Sequence, residues 1–265
     1  AIADLEDILK RPARINKIIM NELAEVAKKY GKPRRCEILY DLPDDGEAEE
    51  QQVVPDYPVD LFFTREGYLK KITPQSLRMS GEQKLKDGDE VAYTCESTNS
   101  VELLFFTNHA QVYKTRASEF ADTKASVLGD FIPTALGMED GEVPLFMAVT
   151  TDYTGHMLFF FQNGKCAKVP LASYQTKQNR RKLLKAYSDK AELAGMLHLT
   201  QEQELAIFIN AGPATLRLLL IGSALIPEKT TRDTAGVNVV SLKKNARIQR
   251  VRPAEGLELT DPHRY

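Results

Sequence analysis

The sequence predicts a mainly β fold in which about four to five four-stranded blades form a propeller-like ring after an N-terminal helical segment. A phenylalanine-rich strand returns four times, and each copy is followed by a turn and a second strand. The aligned positions Phe62, Phe105, Phe160 and Ile207 are separated by 43, 55 and 47 residues. Repeats of about 40–50 residues are typical of blades, solenoids or arrays. Antiparallel units that each bury a face against the next favour the propeller.

The N-terminal segment has the pattern of an amphipathic helix. Between Pro12 and Tyr30, apolar residues recur three and four positions apart, which is the spacing of one helix face. Gly31 and Pro33 follow and end the pattern. We therefore predict a helical segment over residues 1–40, an acidic linker over 41–58 and the β domain over 59–265.

From Asp41 to Gln52 the predicted linker is rich in carboxylates and has almost no apolar residues. Such a run cannot bury enough surface to order itself, so it is typical of a solvated spacer. A DNA mimic that competes for a basic surface is the alternative interpretation. The acidic residues are Asp41, Asp44, Asp45, Glu47, Glu49 and Glu50.

Each repeat is predicted to be a β-hairpin whose second strand is often basic. Two further strands, Val91–Cys95 and Leu145–Val149, each follow an acidic glycine turn and close a unit. Helical patterns are weak after residue 58. The four hairpins are Val59–Thr64 with Tyr68–Ile72, Val101–Thr107 with Gln111–Thr115, Met157–Gln162 with Lys165–Val169, and Glu204–Asn210 with Thr215–Leu219.

The overall composition is that of an ordinary globular protein with a net charge of −2. Residues 1–58 carry 9 Lys and Arg against 13 Asp and Glu, while residues 59–265 carry 26 against 24. No apolar run approaches the ~20 residues of a membrane helix. The cysteines are three, widely spaced and without a CxxC pair, which favours a reducing compartment. We therefore expect a cytoplasmic protein with no membrane partner.

No pattern of residues indicates catalysis, a metal or a cofactor. The four histidines are scattered and lack the spacing of zinc ligands. The acidic glycine turns at 87–90 and 139–142 are too short for a calcium loop. The phenylalanine pairs could stack on bases, but their place in blade-forming strands favours a buried core.

Two stretches give the whole chain a resemblance to a known family. The first runs from Ile15 to Ile38, an Ile/Leu-rich helix with a Tyr30-Gly31 turn and an Arg34-Arg35-Cys36-Glu37-Ile38 exit. The second is the repeated hairpin of the form Leu-Phe-Phe-Thr followed by Gly-Tyr-Leu-Lys-Lys-Ile. Both resemble the C-terminal region of the A subunit of bacterial type IIA topoisomerases, DNA gyrase and topoisomerase IV. The resemblance implies a β-pinwheel, a propeller-like disc whose basic rim bends DNA.

The resemblance also implies what this stretch does not do. The active-site tyrosine of the family lies upstream of the matching region, so we expect no catalysis and no cofactor here, although the parent enzyme is an ATP-hydrolysing isomerase. Its partners are duplex DNA, an ATPase B subunit, and the rest of the A subunit. The Gln-Arg-Arg-Gly-Gly-Lys-Gly box of gyrase is absent, and residues 178–182 keep its charge without its glycines. That departure favours a topoisomerase IV-like or divergent protein.

Recurring lysines and arginines are the candidate DNA contacts, because cations on a rim neutralise phosphates without reading bases. They could instead be the solvated face of ordinary edge strands, where lysine blocks pairing. A propeller-type protein-interaction scaffold is the rival function. The candidates are Arg65, Lys70, Lys71, Lys114, Arg116, Lys168, Lys177, Arg180, Arg181, Lys182, Lys185, Arg217, Arg232, Lys243 and Lys244.

Overall fold

A computed structural model describes residues 2–32, 55–79, 82–176, 181–212 and 215–258. The chain divides into two compact units, Ala1–Gln52 and Val53–Tyr265. Most of the predicted acidic linker, residues 41–54, lies outside the described residues. Helices dominate the described part of the first unit and strands that of the second, so the mainly β prediction with an N-terminal helical segment is confirmed.

The first unit contains α1 (Ile2–Lys10) and α2 (Pro12–Tyr30). Proline suits the first position of α2, where its missing N–H costs no helical hydrogen bond. The predicted helix from Pro12 to Tyr30 is therefore confirmed. Arg14 joins the two helices through ion pairs with Asp4 and Asp7.

The second unit contains four antiparallel sheets, which we call blades 1 to 4 in chain order. Blades 1, 2 and 3 have the strand orders β3–β1–β2–β6, β7–β4–β5–β10 and β11–β8–β9–β14, and blade 4 has β15–β12–β13. Short helices α3 (Pro74–Met79) and α4 (Ile132–Ala135) lie in the connections. The strands are β1 Pro58–Thr64, β2 Tyr68–Ile72, β3 Val91–Thr98, β4 Glu102–Thr107, β5 Val112–Arg116, β6 Asp130–Phe131, β7 Pro144–Thr150, β8 His156–Phe161, β9 Lys165–Pro170, β10 Lys182–Leu183, β11 Leu193–Leu199, β12 Glu204–Gly212, β13 Thr215–Gly222, β14 Val237–Asn238 and β15 Arg247–Pro253.

Apolar side chains fill the three interfaces between successive blades. Neighbouring residues of a strand point to opposite faces, and the inner blades are buried on both faces, so two consecutive phenylalanines serve two interfaces. Phe105 meets Phe63 of blade 1 at 5.6 Å between ring centroids, whereas Phe106 meets Phe159 of blade 3 at 5.7 Å. The interpretation of the phenylalanine runs as core is confirmed for these residues, which are at most 1% exposed.

Each of the first three blades receives its fourth strand from the following repeat. The added strands β6, β10 and β14 are two residues long, and they pair with β2, β5 and β9. Shortly after each added strand, one residue also donates its backbone N–H to the hairpin turn of the blade that the strand completes. The acceptor is the carbonyl of a turn residue with positive φ. These hydrogen bonds run from Ile132 to Gly67, from Ala186 to Ala110 and from Val239 to Gly164.

Blade 4 differs from the others in the part of the chain that is described. It has three strands, and only the face of β12 with Leu205, Ile207 and Ile209 belongs to an interblade core. Phe208, on the other face, is part of none of the three core clusters and is half-buried. Blade 4 therefore keeps one face open in the described structure.

We expect Gly236→Ala to destabilise the domain strongly. Gly236 has φ +74°, and an added Cβ would lie 2.2 Å from the Cys166 carbonyl oxygen of the strand that receives β14. Gly88→Ala is the matched control, because Gly88 has φ +79° with nothing within 4 Å of the added Cβ. The left-handed conformation costs roughly 1–2 kcal/mol in each variant, so urea unfolding should show a loss for Gly236→Ala that exceeds the control by about 1 kcal/mol or more. Equal losses would contradict the tight approach of β14.

Candidate nucleic-acid interface

Three of the predicted DNA contacts are buried. Lys70, Lys71 and Lys168 are 0%, 3% and 5% exposed. A buried ammonium must be paired or hydrogen-bonded, and it cannot reach a phosphate without opening the structure. The prediction that these three lysines lie on an exposed rim is therefore wrong.

The buried lysines bond to groups inside the domain. Lys70 donates from Nζ to the carbonyl oxygens of Lys84 and Ala125, at 2.5 and 3.2 Å. Lys168 donates to the Ser223 carbonyl at 3.2 Å and pairs with Glu202. Both lysines thus tie their own blade to a segment of the following repeat.

Lys71 has a similar internal role. Its Nζ donates to the Asn99 side chain at 2.7 Å and pairs with Asp122 at 3.1 Å. Asn99 in turn donates to the Pro55 carbonyl, which fastens the start of the β domain.

The recurrence of these cations is structural. Lys71, Lys114 and Lys168 occupy the same register position, opposite Leu61, Leu104 and Leu158 of the neighbouring strand. Lys114 is also largely enclosed, since its side chain is 15% exposed. Its ammonium forms an ion pair with Glu102 at 3.0 Å and lies 5.3 Å from the centroid of the Tyr153 ring.

Five of the predicted hairpin and loop cations have a carboxylate within 4 Å. Where both partners are well exposed, such a pair is worth about 0–1 kcal/mol, so the cation can exchange its partner for a phosphate at small cost. Lys177 and Arg180 lie outside the described residues. The pairs are Arg65–Glu90, Arg116–Glu102, Arg181–Glu119, Lys182–Glu139 and Lys185–Asp233.

A buried carboxylate organises the turn beside Lys182. Glu142 accepts hydrogen bonds from the hydroxyls of Thr107 and Tyr113, at 2.5 and 2.7 Å, and from the Glu139 N–H at 3.2 Å. Burial alone would raise the pKa of Glu142, but these three donors outweigh it and lower the pKa.

The same turn contains the one group of three possible metal ligands found in the described ranges, formed by His109, Glu139 and Glu142. The Lys182 ammonium lies 2.6 Å from Glu139 Oε1. Glu142 is already satisfied by its donors, so the arrangement holds a turn together and positions a lysine.

The remaining predicted cations lie around blade 4 and its connections. Arg217, Lys243 and Lys244 are exposed. Within the described ranges they have no carboxylate within 4.0 Å. Arg232 is half-buried, with its guanidinium 5.8 Å from the centroid of the Tyr174 ring.

The sequence analysis missed three arginines of β15. Arg247, Arg250 and Arg252 are exposed. The guanidinium carbons of Arg250 and Arg252 lie 4.6 and 5.8 Å from the centroid of the Phe208 ring. The alternation of Arg250 and Arg252 with the buried Val251 could have predicted them as cations on one face of a strand.

Comparison with known proteins relates the chain to the gyrase family. A family model described as DNA gyrase C-terminal domain, beta-propeller, matches residues 102–126 and 225–255. The DNA gyrase A protein of Mycolicibacterium smegmatis is 25% identical over 256 residues, which are 93% of this chain and 30% of that protein. Its counterpart from Streptococcus pyogenes serotype M3 is 28% identical over 225 residues, 80% of this chain and 26% of that protein. The resemblance to the C-terminal region of gyrase-type A subunits is confirmed.

The solved structures show the same fold. The C-terminal domain of DNA topoisomerase IV superposes with a TM-score of 0.64 at 21% identity, covering 76% of this chain and 62% of that one. The E. coli ParC C-terminal domain gives 0.55 at 13% identity, covering 74% and 79%. This chain therefore has the β-pinwheel fold, and it spans about 30% or less of the length of the gyrase A proteins that it matches. None of the described helices is both long and apolar enough to cross a membrane.

We expect Lys168→Met to lower the stability of the domain, since it removes the hydrogen bond to the Ser223 carbonyl and the ion pair with Glu202. Glu202 is half exposed, so the loss should be about 1–3 kcal/mol and no larger. Arg65→Met is the control, because Arg65 is 73% exposed and paired only at the surface; its effect should stay within about 0.5 kcal/mol. Urea unfolding of both variants checks the contrast, and similar losses would contradict an internal role for Lys168.

We also expect Glu142 to contribute to acid sensitivity. Because its pKa is lower in the folded than in the unfolded protein, the stability that its carboxylate adds is complete above the ordinary value of 4.5 and is lost as the pH falls through the lowered pKa. Glu142→Gln should be less stable at neutral pH by about 1–3 kcal/mol and lose less stability on acidification. Thermal melting from neutral pH into the acid range, with the exposed Glu82→Gln as control, measures this. A wild-type slope in Glu142→Gln would contradict it.

Proposed function

We propose that the β domain binds and bends duplex DNA without sequence preference, as the C-terminal domain of the A subunit of a type IIA topoisomerase. The observation that carries this proposal is the match over 93% of the chain to about a third of a DNA gyrase A protein. Exposed cations on the hairpins and on either side of the outer strand β10 support it, since DNA binding of this kind needs phosphate contacts and no base contacts.

In this proposal the domain holds the DNA segment for strand passage, and the chemistry belongs to other parts of the enzyme. The partners are duplex DNA, an ATPase B subunit, and the rest of the A subunit, in the cytoplasm. No gyrase-type Gln-Arg-Arg-Gly-Gly-Lys-Gly box is present in the sequence. Glycines allow close backbone approach, so bending without full wrapping fits this chain better.

A protein-interaction scaffold is the second candidate function. The near-neutral charge of the chain supports it. Exposed apolar side chains of blade 4 and its connection are the other observation in its favour, with Leu216 59% and Leu225 76% exposed.

Salt-dependent binding tests the proposed function. We expect fluorescence anisotropy with a mixed-sequence duplex to show affinity that falls linearly on a log–log scale between about 50 and about 200 mM salt. Arg181→Glu with Lys185→Glu should weaken binding by about tenfold, because both side chains are well exposed, at 74% and 80%. The control, Lys86→Glu with Lys190→Glu, reverses two exposed lysines outside the predicted interface. Absent binding, or binding indifferent to salt, would contradict the proposal.

A further inference from the structure

The open face of blade 4 places three arginines and one aromatic ring together. On β12, Leu205, Ile207 and Ile209 point into the core shared with blade 3, so Phe208 points to the opposite face. Arg250 is the direct cross-strand neighbour of Phe208, and Arg252 and Arg247 pair with residues two positions away on either side. We call Phe208, Arg247, Arg250 and Arg252 the arginine face.

The charge of this face is uncompensated. The three strands of blade 4 carry four arginines and a single acidic residue, Glu204, whereas the strands of blade 1 carry two lysines and three acidic residues. Among the described residues, no carboxylate oxygen lies within 4.0 Å of a nitrogen of Arg247, Arg250 or Arg252. Arg65, Arg116, Arg181 and Lys185 each have such a partner, so the arginine face differs from them electrostatically.

The geometry orients the guanidinium groups. Arg250 and Arg252 both lie over Phe208, at 4.6 and 5.8 Å from its centroid, and contacts of this kind are worth about 0.5–1 kcal/mol at exposed sites. A guanidinium held over a ring keeps its N–H groups free to donate in its own plane, and that fork matches two phosphate oxygens. The rise of a strand is about 3.4 Å per residue, so Arg250 and Arg252 start about 7 Å apart along β15.

Neighbouring residues extend the positive surface. Lys243 and Lys244 are exposed and precede β15 by only a few residues. Leu216 and Leu218 lie across β12 from the arginines, opposite Asn210 and Phe208 on β13. The three arginines therefore form a row along β15, at one edge of the sheet, with apolar side chains of β13 at the other. A row of like charges suits a regular polyanion better than it suits a folded acidic protein.

We propose that the arginine face is a DNA-backbone binding site, in which Arg247, Arg250 and Arg252 donate to phosphate oxygens. This inference rests on the proposed DNA-binding function and adds to it the open face of blade 4 as part of the DNA path. Phe208 acts as a positioning residue, because it holds two guanidinium groups and touches no phosphate itself.

The test is a triple substitution in the full chain, Arg247→Ala, Arg250→Ala and Arg252→Ala. Each lost phosphate contact lowers the slope of log affinity against log salt by about 0.9, so we expect a slope about 2–3 smaller and binding about tenfold or more weaker. The matched control, Lys86→Ala, Lys124→Ala and Lys190→Ala, also removes three exposed charges and should keep the wild-type slope. Thermal melting confirms that both triple variants are folded.

Replacing the three arginines by lysines separates charge from geometry. That variant should keep most of the salt slope but recover only part of the affinity, because lysine neither stacks on Phe208 nor donates as a fork. Phe208→Leu should weaken binding with an unchanged slope, which a purely electrostatic surface would not show.

The outcomes distinguish this site from the function on which it rests. If the wild-type chain does not bind duplex DNA, both proposals fail. If the wild type binds and the Arg-to-Ala triple variant binds equally well with the same slope, the arginine face is not a DNA site although the proposed function stands. If that variant binds DNA normally but loses self-association by light scattering, the face is a protein interface and the inference is overturned.

Discussion

Burial of both faces of the inner blades is the constraint on which the rest of the domain depends. A sheet that is covered on both sides needs apolar residues at consecutive positions, and Phe105 and Phe106 meet that need by serving different interfaces. Fully burying such side chains contributes about 1.5–3 kcal/mol each. The polar groups that face these interfaces must then be satisfied internally, which is why Lys71 donates to the Asn99 side chain and Lys168 donates to the Ser223 carbonyl oxygen.

This constraint separates two kinds of positive charge that look alike in the sequence. Lysines of the second hairpin strand are enclosed by neighbouring strands and connecting segments, and they bond to other segments of the domain. Cations on turns, next to the outer strand β10 and on the open face of blade 4 remain at the surface. The electrostatic surface offered to a polyanion therefore comes from the ends and edges of the sheets, where the repeat is least regular.

The sequence was sufficient to predict the repeat, the hairpins and α2, because each has a local pattern of apolar residues with a defined period. It was not sufficient for β6, β10 and β14, which are two residues long and have no period of their own; they form only where another repeat offers an edge. The burial of Lys70 was equally hidden, since alternation alone cannot show that connecting segments of the chain cover the polar face of a strand. The arginine face was missed because the search followed the hairpins, and β15 lies outside them.

The donated strands also change what counts as one module of this protein. Each of blades 1 to 3 is completed by residues about 60–70 positions further along the chain. Neighbouring repeats are therefore joined by a shared sheet as well as by packing of their faces. A cut between blades 3 and 4 in the chain would strip β14 from β9 and leave an unpaired edge behind it. To remove or add a blade without leaving an unpaired strand edge, the chain must be joined at equivalent points within neighbouring repeats. The pairing of strand edges, as well as the packing of the cores, then determines where the domain can be divided.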